Sequence, residues 1–148
     1  MKIFTKKFVL ILGVLILIGA GYYLWTRDDR KGPGITYTNA SADMVRVELP
    51  FPGAVTGKEF KVIGQARGQW FFEASFPVEV LDLKGEQLAT AVAQTKGDWM
   101  TTDFVPFEAD ITVPESYIGP AVLVLKKDNP SGLAEKEASI SFPFTIEY

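Results

Sequence analysis

The stretch Arg67–Val80, RGQWFFEASFPVEV, sets one carboxylate, Glu73, inside a run of aromatic and apolar side chains. Its reading separates a buried catalytic acid from one polar side chain on the outside of a β-sheet. Successive side chains of a strand point to opposite faces. On that period Trp70, Phe72, Ala74, Phe76, Val78 and Val80 share one face, and Phe71, Glu73, Ser75, Pro77 and Glu79 share the other. The alternation predicts a half-buried strand, with Glu73 solvated on its more polar side and Arg67 close enough in sequence to pair with it. Pro77 lacks an amide hydrogen and predicts an edge position or a bulge. The apolar register also slips at Leu81 and Leu83, as a bulge would make it do.

The same period recurs on both sides of this stretch. Val45, Val47 and Leu49 alternate with Arg46 and Glu48, and Phe60 and Val62 open another strand. LKGE, Leu83–Glu86, reads as a hairpin turn in which Gly85 is free to take positive φ. Gln87–Thr95 continues as a strand of small residues, and KGDW turns the chain again. Phe107, Ala109, Ile111 and Val113 alternate with Glu108, Asp110 and Thr112, Ala121–Lys127 is a continuous apolar run, and Ile140, Phe142, Phe144 and Ile146 alternate to the end. No stretch carries a convincing helical period. Seven short strands in about 100 residues, with turns at short intervals, predict an all-β, immunoglobulin-like, seven-stranded antiparallel sandwich. With no cysteine to staple it, the core is expected to rest on rings: Phe60, Trp70, Phe72, Phe76, Trp99, Phe104 and Phe107.

The amino-terminal part has a different character. FVLILGVLILIGAGYYLW, Phe8–Trp25, is an 18-residue uncharged run. As a helix it would span roughly 27 Å, close to the thickness of a hydrocarbon core. Tyr22, Tyr23 and Trp25 fall at its end, where amphipathic rings favour the headgroup layer. The positive start and the GAG after Ile18 also fit a cleavable secretion signal, but the apolar run continues into YYLW, which suits an uncleaved signal-anchor. Charges, glycines, a proline and small polar residues then read as a tether. The expected organisation is a basic tail at 1–7, a transmembrane helix at 8–25 that meets the membrane, a flexible linker at 26–42 and the sandwich at 43–148.

Composition narrows function mainly by exclusion. The 148 residues include neither cysteine nor histidine, which removes thiol nucleophiles, disulfides, iron–sulfur clusters, Ser-His dyads and the commonest zinc ligands. No phosphate loop or Gly-x-Ser-x-Gly motif occurs, so neither an enzyme nor a cofactor is expected. Lys2, Lys6 and Lys7 precede the apolar run, so the remainder carries 12 basic against 18 acidic residues. Such a surface does not suit nucleic acid, whose binding needs clustered cations.

Three groups of residues are candidate ligand-binding sites. Arg67 with Glu73 makes either a ligand-holding pair or an ion pair that orders a loop. Trp70 and Trp99, with Phe71, make either an exposed aromatic shelf for sugar rings or a partner, or part of the core. Asp128 and Asn129 begin DNPSG, Asp128–Gly132, whose oxygens suit either a cation or the turn's own backbone. The ligand count is short for a metal, and none is expected.

Four stretches together, GQARGQWFFEASFPVEVLDLKGEQL, GDWMTTDFVPFEADI, AVLVLKKDNPSG and SISFPFTI, resemble the immunoglobulin-like domain of bacterial spore-germination proteins, the Gmad domain family. The resemblance spans about Met44 to Ile146. It implies a sandwich outside the bacterial cytoplasmic membrane, without catalytic residues or cofactors. A membrane-tethered recognition or scaffold domain is therefore expected, contacting an envelope protein through sheet edges or end loops. The alternative is a module that binds cell-wall glycan.

Overall fold

The computed structural model describes residues 34–148. The basic tail, the apolar segment 8–25 and the first part of the expected linker lie outside the described residues. Among the described residues no helix is long and apolar enough to cross a membrane.

Nine strands form: β1 Thr36–Thr38, β2 Val45–Leu49, β3 Val55–Thr56, β4 Glu59–Arg67, β5 Ser75–Asp82, β6 Gln87–Gln94, β7 Phe104–Thr112, β8 Gly119–Lys126 and β9 Ser139–Ile146. The seven longer ones are those expected from the sequence. The strands run in the order β1-β9-β8-β5-β6-β7-β4-β2. The chain bends into two layers between β6 and β7, where one residue pair, Gln94 with Glu108, joins them. Strict alternation explains why the layers close on each other. In β9, Ile140, Phe142, Phe144 and Ile146 are buried while the residues between them are half-buried, and in β7 the buried positions are Val105, Phe107, Ala109 and Ile111. Rings meet across the gap edge to face, Phe76 on Phe107 with centroids 4.8 Å apart and Phe60 on Phe144 at 5.4 Å. Deleting such a buried ring typically costs about 3–5 kcal/mol.

Two short strands correct the expectation of seven. β1 lies in the stretch read as linker, so the ordered fold starts upstream of residue 43; it pairs antiparallel with β9 at Ser139–Ser141. β3 pairs with β9 at Thr145–Ile146 in parallel, an exception to the antiparallel rule. Between them the Gly53 amide donates to the Pro143 carbonyl at 2.8 Å. Three residues and two residues are too short to show a period, and both strands exist because β9 offers an edge to pair with.

The slip at Leu81 is a bulge, as expected: the β5–β6 register shifts between Val80 and Leu81. Pro77 sits in an internal strand. Pairing with β8 begins only at Val78, so Pro77 faces a neighbour on the β6 side alone. The register also sorts the loops. Residues 39–44, 68–74, 95–103 and 127–138 share one end of the sandwich, here called apical, and residues 50–58, 83–86 and 113–118 share the basal end.

Candidate functional site

The apical end begins with a correction to the stretch that decides the fold. β5 starts at Ser75, not Trp70. Gly68–Trp70 makes a single 3-10 turn, and this turn lets two consecutive rings enter the core, where a strand would admit only one. Trp70 is 1% exposed and Phe71 5%, and both meet Phe76 edge to face, at 6.4 and 5.2 Å. Phe72, expected inside, is 43% exposed. Gly68 permits the turn: a Cβ there would lie 2.1 Å from the carbonyl oxygens of both Trp99 and Thr101.

The chain reverses immediately afterwards. Phe72 and Ser75 exchange both backbone hydrogen bonds, at 3.0 and 3.1 Å, and the two residues between them, Glu73 and Ala74, have φ of 51° and 63°. This is a two-residue hairpin of the kind that favours Asn-Gly because both central residues are left-handed. Here neither is Gly or Asn, so each carries about 1–2 kcal/mol of backbone strain. Glu73 is thus the exposed tip of a tight turn. It is neither a buried acid nor a residue on a strand's polar face.

Arg67 does not pair with Glu73. Its Nε donates to the Asp43 carbonyl at 2.9 Å and its Nη1 to the Thr102 carbonyl at 3.1 Å. The guanidinium lies 4.1 Å from the centroid of the Phe104 ring, and that of Arg46 lies 4.3 Å from the same ring. Phe104, expected in the core, therefore lies on the outer face beneath two arginines, which tie the loops 39–44 and 95–103 to the sheet. Trp99 is half-buried against the core. The aromatic shelf expected from Trp70, Phe71 and Trp99 is not formed, because two of the rings are inside and the third is half-buried.

In the loop 127–138 the polar oxygens serve the turn itself. Asn129 Nδ2 donates to the Leu133 carbonyl at 2.9 Å, Ser131 Oγ bonds Asn129 Oδ1 at 2.5 Å, and the Leu133 amide donates to Ser131 Oγ at 3.3 Å. Gly132 takes φ of 66°. Among the described residues no cluster of three acidic side chains gathers to hold a metal. The Asp128 amide donates to the Trp70 carbonyl at 3.1 Å, which fixes this loop against the 3-10 turn.

Every candidate residue therefore sits at the apical end, but the groupings change. Trp70 meets Asp128, Arg67 turns to Asp43 and Thr102, and Glu73 stands alone. Open clefts of about 330, 300 and 250 Å3 lie where the loop 127–138 borders the 68–72 turn and the end of β1. Asn39 helps to set them: its side-chain amide donates to the Glu137 carbonyl at 3.0 Å. Lys127 lines all three, and Gln69 and Lys136 line two of them. Sequence reasoning passed over these three residues, and no motif or period marks them, since their meeting depends on loop geometry.

A family model described as the immunoglobulin-like domain of bacterial spore germination matches residues 44–134, from the start of β2 into the last apical loop. No curated protein and no solved structure matches the chain.

Proposed function

The chain belongs to the family of immunoglobulin-like domains of bacterial spore germination, and from that premise we propose that it is a membrane-tethered, extracytoplasmic recognition or scaffold domain that contacts an envelope protein through its apical loops. The uncharged run Phe8–Trp25 supports the tether. One observation carries the choice of surface. Exposed apolar side chains occur at both ends, Phe51, Leu83 and Ile118 at the basal one, but the apical end sets Phe72, Met100 and Leu133, at 43%, 79% and 45% exposure, beside the polar clefts of the loop 127–138. Mixed apolar and polar surface of this kind suits a protein interface. The β9 edge, by contrast, is already covered by β1 and β3.

The glycan alternative loses its main support, because its stacking platform required exposed tryptophan and Trp70 is in the core. Photo-reactive residues placed singly at Phe72, Met100 and Leu133, with Leu83 and Ile118 at the basal end as controls, test the reading in intact membranes. A discrete protein adduct from the apical positions alone is expected. Adducts from the basal positions alone, or from none, would sink it. Saturable pelleting with purified cell wall would replace it with the glycan module.

A further inference from the structure

Three earlier pieces of the chain lie in succession along one edge of β9. Thr36 stands opposite Ser141, the Gly53 amide bonds the Pro143 carbonyl, and Val55 stands opposite Thr145. They follow one another at two-residue steps, roughly 7 Å each along a strand. This edge is also where the chain enters the fold, since Gly34 is only two residues before Thr36. Tyr37, Leu49, Phe51 and Val55 are all exposed here, Phe51 by 59%. Charge is missing from the same segments: Gly34–Ala42, Leu49–Gly57 and Ser139–Ile146 contain no Asp, Glu, Lys or Arg. The outer side of β4 and β7 is the opposite case, with Glu59, Lys61, Glu108 and Asp110 exposed. An exposed apolar surface without charge marks a contact with a protein or with lipid.

We propose that this patch docks on the surface of the lipid bilayer that holds the apolar run Phe8–Trp25, with Phe51 and Val55 entering the headgroup layer. The proposal rests on the membrane tether put forward above and adds a second, weaker hold on the same membrane. The length of chain between the two decides for lipid. With Trp25 at the headgroup level, residues 26–33 reach at most ~28 Å when fully extended. Gly34, and the patch along the same edge, therefore stay close to the lipid. A short tether makes docking an intramolecular step, with an effective concentration on the order of millimolar. Four exposed side chains are too few for a free protein partner, whose interface needs about 1,000 Å2. They suffice for a contact that is never diluted. The absence of charge removes two costs: no ion is stripped of water, and no carboxylate in these segments meets anionic headgroups. Phe51 and Val55 belong to the basal stretch 50–58, so docking there leaves the apical loops open to a partner.

The test uses the full-length chain reconstituted into vesicles of phosphatidylethanolamine and phosphatidylglycerol. The chain has no cysteine, so one substitution carries the sole label, an environment-sensitive fluorophore. Phe51→Cys and Val55→Cys report on the patch, and Leu15→Cys on the apolar run. Met100→Cys, at an exposed apolar site of the apical end, reports on the label's own affinity for lipid. Lipids bearing a nitroxide on the acyl chain serve as the quencher. Labels at 15, 51 and 55 are expected to lose most of their emission, and the label at 100 to keep it. Phe51→Asp, a change at an exposed position, should abolish the quenching at Val55→Cys. Quenching at 15 with none at 51 and 55 would overturn the proposal and leave the tether standing. No quenching at 15 would remove the tether and the proposal with it. Quenching at 100 as strong as at 51 would also overturn it, because the label alone would then be seeking lipid. A blue shift at 51 that the lipid quencher leaves untouched would assign the patch to a protein instead, a second copy included.

Discussion

The two-layered body and the apical end of this domain are held together by different means. In the body, long ladders of backbone pairing do most of the joining, as in the nine residue pairs between β4 and β7 from Glu59–Thr112 to Arg67–Phe104, and side chains need only alternate. At the apical end the connections are mostly from side chain to backbone or from turn to turn: Arg67 to the carbonyls of Asp43 and Thr102, Asn39 to that of Glu137, and the Asp128 amide to that of Trp70. The body tolerates exchange of one apolar residue for another of similar size. The apical end depends on particular residues in particular geometries, and a ligand-binding surface needs that kind of definition.

The comparison breaks most readily at the point where the two regions share a residue. Trp70 belongs to the core by burial and to the apical end by position, so Trp70→Ala is expected to lower the unfolding free energy by about 3–5 kcal/mol in urea titrations. Trp99→Ala, at a half-buried site, should cost clearly less; equal losses would mean that the two rings are equally structural. Arg67 tests the apical connections without touching the core. Arg67→Ala should cost about 1–2 kcal/mol through the lost charged hydrogen bonds and the stacking on Phe104. Arg67→Lys should recover little, because a point charge cannot reach both carbonyls while covering the ring. Full rescue by lysine would show that charge alone matters there. The smallest effect has the opposite sign. Ala74→Gly removes a Cβ from a left-handed residue and is expected to raise stability by about 0.5–1 kcal/mol, seen as a higher urea midpoint with an unchanged slope. A loss of stability would mean that the turn relaxes in solution away from positive φ.

Legibility in the sequence follows the same division. Most long strands could be read because alternation is a local signal, β6 and β8 through small residues between turns and a continuous apolar run, and even the β5–β6 bulge showed as a slip at Leu81. The reading failed at Trp70–Ala74, where the letters continue a strand's period across a 3-10 turn and a two-residue hairpin. Nothing in WFFEA announces a turn: the usual Asn-Gly is missing, and strain substitutes for it. The error moved Phe72 from core to surface and Glu73 from a sheet face to a tip. β1 and β3 were illegible for another reason. Their strand character comes from β9, more than 80 residues away in the chain, and a segment that borrows its structure carries little sign of it. The candidate residues were chosen as chemical types, and all fall at the apical end. Lys127, Lys136 and Gln69 escaped notice because lysine and glutamine in loops are ordinary residues until three dimensions bring them together.

β9 pairs with β8 along its whole length, with β1 at one end and with β3 at the other, and all three of these partners precede it in the chain. During synthesis in the amino-to-carboxyl direction, β1 and β3 must wait for a strand that has not yet emerged, and the layer built on β8 lacks Phe142, Phe144 and Ile146 until then. The sandwich is thus closed late and from its carboxyl side: β1 has nothing to join until Ser139–Ser141 has emerged, β3 waits longer still for Thr145 and Ile146, and the fold is complete only when its last strand is in place.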